Sequence, residues 1–200
     1  MPGRVREEKL LVGKIALPFL SFSESLAAVN RIVRIFLLLV PLLGLASCAS
    51  QVKARHPVSY NFEPGRTALL KNGLAYAPRN APTAVKRAIA AGNRLQGKPY
   101  KWGGGHARLD DSGYDCSGTV SYVLRSAGLM RGAIPSNGYF SYGKKGAGRW
   151  ITVYIRRGHV FMTVAGLRLD TGGPGGRTGP RWQPQSRAGA GHVMRHPAGY

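Results

Sequence analysis

Between residues 115 and 171 the apolar pattern of the chain changes period. Cys116, Val120, Val123, Leu124 and Ala127 recur at helical spacing, with Asp115 where an N-cap belongs and Gly128 where a C-terminal cap belongs. After a loop rich in Gly and Tyr the spacing falls to two. Residues 150–155, 159–164 and 167–171 read as consecutive strands, with turns at Arg156-Arg157-Gly158 and Ala165-Gly166 and a last short strand over 192–196. Upstream, Val85, Ala88, Ile89 and Gly92 share one helical face, and Gly97 and Pro99 stop it. Helices followed by an antiparallel meander predict an α+β domain.

Composition narrows the class further. Gly and Pro, 28 and 13 of 200 residues, exceed what a helical bundle tolerates, while 44% apolar residues suffice for a core and exclude wholesale disorder. Two cysteines cannot form a disulfide framework, and no Cys-x-x-Cys pair offers a zinc site. The chain calls for no metal and no cofactor. The glycine clusters at 102–106 and 172–179 lack the Lys-Ser/Thr and strand-to-helix setting of a phosphate cradle, and read as plain loops.

The first 48 residues read as an address. Arg31 and Arg34 precede an apolar run over 35–45, too short to span a bilayer comfortably, and Leu45-Ala46-Ser47-Cys48 resembles the lipobox of bacterial lipoproteins. Cys48 is then the acylated residue, and residues 1–48 a lipoprotein-type signal. The mixed preamble 1–30 does not fit a compact signal and points to a true start near Val29. Residues 49–82, basic and punctuated by four prolines, read as a flexible tether, which leaves 83–200 as the folded unit. Ala49, where an Asp would retain such a protein at the inner membrane, hints at the outer membrane of a two-membrane cell. Lys and Arg number 29 against 8 Asp and Glu, a formal charge of +21. That charge favours anionic envelope polymers; nucleic acid is not expected, because no nucleic-acid motif accompanies it.

The chemistry gathers at three residues. A thiol in the first turn of a helix meets unpaired backbone N–H groups and the helix dipole, which favour its thiolate. Cys116 suits a nucleophile there, although a lone Cys on an apolar stripe also suits a small core residue. If Ala165-Gly166 is a two-residue turn, Val164 opposes Leu167, and His159 falls on the same face as Asp170, one diagonal step away. A three-residue loop would separate them. A carboxylate that orients an imidazole beside a thiol is the arrangement nucleophilic catalysis requires. His192 or His196 on the terminal strand is an alternative orienting residue. Arg156, Arg157, Arg181 and Arg195 read as solvated charges, and Trp102, Trp150 and Trp182 as core or rim.

Pro99-Tyr100-Lys101-Trp102-Gly103-Gly104, Asp115-Cys116-Ser117-Gly118, Gly158-His159-Val160 and Asp170 follow one another in an order and spacing that resemble the NlpC/P60 family of cell-wall cysteine peptidases, over about residues 85–172. The resemblance implies a papain-like α+β core, N-terminal helices packed on an antiparallel sheet, and cleavage of amide bonds in peptidoglycan stem peptides. It implies Cys116 as nucleophile, His159 as base and Asp170 as third residue, with Tyr100 near the oxyanion and Asp115 and Ser117 near the substrate amine. The expected protein is a monomer, exported and held at the envelope by a lipid anchor. Some features depart from the family pattern. Gly146-Ala147-Gly148-Arg149-Trp150 stands where a Pro-Gly-Asp usually precedes the first strand, His159 is followed by bulky residues, and the loop from Gly104 to Gly113 is long. Those departures leave open a non-catalytic envelope-binding lipoprotein, or an amidase or acyltransferase of the same core with another target.

Overall fold

A computed structural model describes residues 51–173 and 176–200. The first strands are a short hairpin, β1 (Leu69–Lys71) and β2 (Leu74–Tyr76), followed by two helices, α1 (Thr83–Arg94) and α2 (Cys116–Ser126). A 3-10 turn (Ser136–Ser141) leads into β3 (Lys144–Lys145), β4 (Ile151–Arg156), β5 (His159–Val164), β6 (Leu167–Gly173), β7 (Gly176–Gln183) and β8 (Val193–His196). The last six strands form one antiparallel sheet in the order β3-β8-β4-β5-β6-β7. The domain is α+β, as the change of period predicts.

Both faces of this sheet are covered. Val153, Ile155, Val160, Met162, Val164, Leu167 and Leu169 are buried in the core with Val85 of α1 and Val120, Val123 and Leu124 of α2. Each fully buried side chain of this size contributes about 1.5–3 kcal/mol. On the other face Phe161 stacks on Tyr154 at 4.8 Å, and His192 meets it edge-on at 5.2 Å.

Two local features set the register of these elements. The turn between β5 and β6 has Ala165 at φ +45° and Gly166 at φ +75°, the two positive values of a tight hairpin whose twist matches its strands. It sets Val164 opposite Leu167, Thr163 opposite Arg168 and Met162 opposite Leu169. At the head of α2, Asp115 accepts a hydrogen bond from the Gly118 N–H at 2.7 Å. A side chain at Gly118 would overlap the Gly104 carbonyl, so only glycine lets the 102–105 loop press against the helix start.

The tether expected over 49–82 is corrected. Val58 pairs with Arg187 and Lys53 with Val193, the Ala54 N–H donates to the His192 carbonyl, and Ala54, Val58, Ala68, Ala75 and Ala81 are buried. Residues 51–60 are a strap rather than a leash, and the packed unit reaches back beyond residue 83. Proline and charge suggest solvent, yet small apolar residues spaced among them line the strap's inner side. The Asn72-Gly73 pair, at φ 52° and 76°, is a hairpin signal that the tether reading overlooks. Within the loop expected at 172–179, residues 172–173 and 176–179 become strand, because β7 pairs with β6 through Gly172–Arg177 and Gly173–Gly176 and on to Asp170–Arg181 despite its glycines. The signal expected over 1–48 lies outside the described residues.

Replacing Val58 with Lys should separate strap from leash. A cation forced beside Arg187 at a buried site should cost about 2 kcal/mol, a fall of about 4–8 °C in Tm by calorimetry. A solvated tether would show no change.

Candidate active site

Cys116 is the first residue of α2, and its side chain meets His159, the first residue of β5. Burial pushes the thiol up, but the hydrogen bonds from His159 and from the Val160 backbone, with the attraction of His159, outweigh it and leave the thiol below its ordinary value. Burial pulls His159 down, yet its hydrogen bonds to Asp170 and Cys116 prevail, and the imidazole sits above its usual value. Each partner thus favours the charged form of the other, and thiolate–imidazolium is the state that the pair stabilises.

The third group is held more firmly than either. His159 Nε2 lies 3.0 Å from Asp170 Oδ1, so Nε2–H donates to the carboxylate and Nδ1 is left for the thiol. Asp170 Oδ1 also accepts the Gly172 N–H at 2.9 Å. Oδ2 takes Arg168 Nη1 at 2.7 Å and Arg187 Nη1 at 2.9 Å. Burial would raise this carboxyl, but His159 first and Arg187 and Gly172 after it hold it low and ionised. Arg168 is itself buried. Sequence reasoning missed both arginines. The Arg168-x-Asp170 spacing on one strand face was a usable signal, whereas Arg187 comes from a distant segment that the strap pins through Val58.

A groove of ≈470 Å³ opens over Cys116 and His159, walled by Tyr100, Trp102, His106, Ser117 and Arg156. Asp115 borders it with its carboxylate engaged by the protein: Oδ1 accepts from Gly118 N and Ser117 Oγ and lies 3.2 Å from His106 Nε2, while Oδ2 accepts from Gly103 N at 3.0 Å. Asp115 is therefore a clamp on the loop as well as a groove residue. His106 Nε2 also lies 3.1 Å from Ser117 Oγ, and this histidine on the long 104–113 loop was not singled out from sequence.

Residues 97–163 match the NlpC/P60 family model, a segment that contains Tyr100, Asp115, Cys116, Ser117 and His159. That segment, about a third of the chain, is what the chain shares with the NlpC/P60 family. The chain is 40% identical over 52 residues to the peptidoglycan DL-endopeptidase CwlO of Bacillus licheniformis, a match covering 24% of the chain and 12% of that protein. It is 31% identical over 140 residues to the peptidoglycan endopeptidase RipA of Mycolicibacterium smegmatis, covering 60% of the chain and 25% of that protein. The chain thus spans a quarter or less of the curated relatives it matches. Among solved structures, the P60 domain of an antigen from M. avium subspecies paratuberculosis is 25% identical with a TM-score of 0.43, covering 56% of this chain and 93% of that one.

The remaining expected residues divide. His192 is buried with Nδ1 3.2 Å from the Gly189 carbonyl, and His196 Nδ1 lies 3.1 Å from the Gly146 carbonyl; Asp170, not either histidine, holds His159. Arg195 is not a solvated charge: it is buried, bonded to the Phe140 carbonyl and 3.4 Å from Gln51 Oε1. Arg181 is tied to the Lys98 carbonyl at 3.3 Å, and Arg156 overhangs the groove. Trp150 and Trp182 are buried, whereas Trp102 is 80% exposed on the rim of the groove.

The geometry makes two measurable claims. Because the Cys116 thiol titrates low, its iodoacetamide rate should stay high as pH falls below the range of an ordinary thiol (~8.5). His159→Ala should return the midpoint upward. Arg168→Met, which strips one cation from a sealed carboxylate, should cost about 3 kcal/mol in urea unfolding.

Proposed function

We propose that this chain is a cysteine hydrolase that cleaves amide bonds in peptidoglycan stem peptides. The observation that carries the reading is the thiol–imidazole–carboxylate array of Cys116, His159 and Asp170 at the floor of an open groove. The endopeptidase activities named for the two relatives support the substrate class.

In the proposed mechanism the Cys116 thiolate attacks the amide carbonyl, forming a C–S bond and a tetrahedral oxyanion. The backbone N–H of Cys116, at the positive end of α2, faces the developing charge, with Tyr100 beside the groove. His159 Nδ1 gives its proton to the leaving nitrogen as the C–N bond breaks, and a thioester remains. Neutral His159 then takes a proton from water, whose oxygen attacks the thioester and releases the acid and the thiolate. Asp170 keeps Nε2 protonated throughout, so Nδ1 faces the reacting atoms at every step. Ser117 and His106, linked to Asp115, form the groove wall where a substrate amine would lie.

The same reading places the enzyme in the envelope, exported and acylated at Cys48, with its net charge of +21 drawing it to anionic wall polymer. Digestion of purified muropeptides followed by mass spectrometry tests the chemistry. Cys116→Ala should lower product release at least ~10³-fold, and Asp170→Asn should cost a smaller factor. Equal product from wild type and Cys116→Ala would remove the enzymatic assignment.

A further inference from the structure

The exposed large apolar side chains among the described residues are Val52, Phe62, Leu69, Leu74, Tyr76 and Trp102. Three of them share one face. In the β1–β2 hairpin Leu69 pairs with Tyr76 and Lys71 with Leu74, so these four side chains point away from the core while Leu70 and Ala75 pack toward it. Clustered exposed apolar groups on so small an element mark a contact surface.

A second feature lies near the hairpin base. Gly65, Arg66, Asn80, Arg149 and Trp150 enclose a cleft of ≈150 Å³. Arg149 lies over the Trp150 ring at 5.7 Å, and Arg66 is exposed and pairs at the surface with Glu63. Two guanidinium groups around a polar hollow suit a phosphate.

Register places both features at one pole. The Ala68 N–H donates to the Ala165 carbonyl and the Ala165 N–H to the Trp150 carbonyl, so hairpin base and cleft meet at the β5–β6 turn. His159 stands at the other end of β5, ~17 Å away at the usual rise per residue. The chain also enters from this pole. Gln51 lies beside Arg195, Val52 accepts from Met194, and Lys53 pairs with Val193, so residues 51–53 run antiparallel to β8. Arg195 pairs with Val153, and further along β4 Ile151 pairs with Val164, next to the turn.

We propose that this pole is a docking surface for an anionic phospholipid bilayer. Leu69, Leu74 and Tyr76 enter the boundary between headgroups and acyl chains, Lys71 stays among the headgroups, and the Arg66–Arg149 cleft takes a lipid phosphate. A bilayer is the occupant because the chain upstream of Gln51 carries Arg31 and Arg34, the apolar run over 35–45 and Cys48, which two intervening residues hold within ~10 Å of Gln51. A single acyl chain binds marginally, and an adjacent apolar and cationic contact makes attachment stable. The inference rests on the reading of Cys48 as the anchor, and it points the groove away from the membrane.

Hydrogen exchange by mass spectrometry tests it, on the full chain reconstituted into vesicles of phosphatidylethanolamine with phosphatidylglycerol, or of phosphatidylcholine alone. Amides of 66–80 should exchange roughly fivefold more slowly on the anionic vesicles, with 100–106 and 156–160 unchanged. The paired changes Leu69→Ser with Tyr76→Ser, and Arg66→Ala with Arg149→Ala, should each abolish that difference. Equal exchange on both vesicles overturns the proposal, as does protection that survives both pairs of substitutions, the mark of cover by the chain's own N-terminal segment or a second copy. The mass of the same sample reads acylation at Cys48, and muropeptide release reads activity, so failure of either stays separate from failure of docking.

Discussion

A carboxylate sealed from water is the constraint on which the site depends. Asp170 is 1% exposed, and an ion so placed persists only if donors surround it. Four groups do: His159, the Gly172 N–H and the guanidinium groups of Arg168 and Arg187. Their assembly draws on β5, β6 and the segment pinned by Val58, so the ionisation of one side chain couples the strap, two strands and the imidazole. The two arginines also limit how strongly Asp170 acts on His159. A carboxylate that already neutralises cations orients the ring firmly while holding its proton less tightly than a bare one would.

The thiol arrives from the opposite direction. Asp115 caps α2 and grips the Gly103 N–H, and Gly118 admits the Gly104 carbonyl, so the helix start and the 102–105 loop form one body. Cys116 therefore meets His159 because a helix end and a strand start are both fixed at the same edge of the core. Neither residue needs a flexible segment to reach the other, which is the pre-organisation that nucleophilic attack rewards.

The central part of this arrangement was legible in the sequence because it is local. Period fixed α2 and the meander, and the Ala165-Gly166 turn fixed the register that brings His159 and Asp170 to one face. What escaped was carried by long-range contacts or by weakly patterned segments. Arg187 reaches Asp170 only after a strap from residue 58 has positioned it, and no spacing announces that. The strap itself looks polar because its buried residues are alanine and valine set singly among charges. β7 is written in glycine and arginine and owes its existence to pairing with β6 rather than to side-chain preference. Asn72-Gly73 was readable, and the prolines around it obscured it.

With residues 51–60 folded into the body, only Ala49 and Ser50 would separate an acyl chain on Cys48 from the globule. A leash of thirty residues would let an anchored domain sweep a broad volume; a domain mounted on two residues would have no such radius. A globule of this length measures roughly 40 Å across. An enzyme so mounted would trim only the polymer layer lying within that height of its membrane, and growth of the layer beyond it would carry older material out of range.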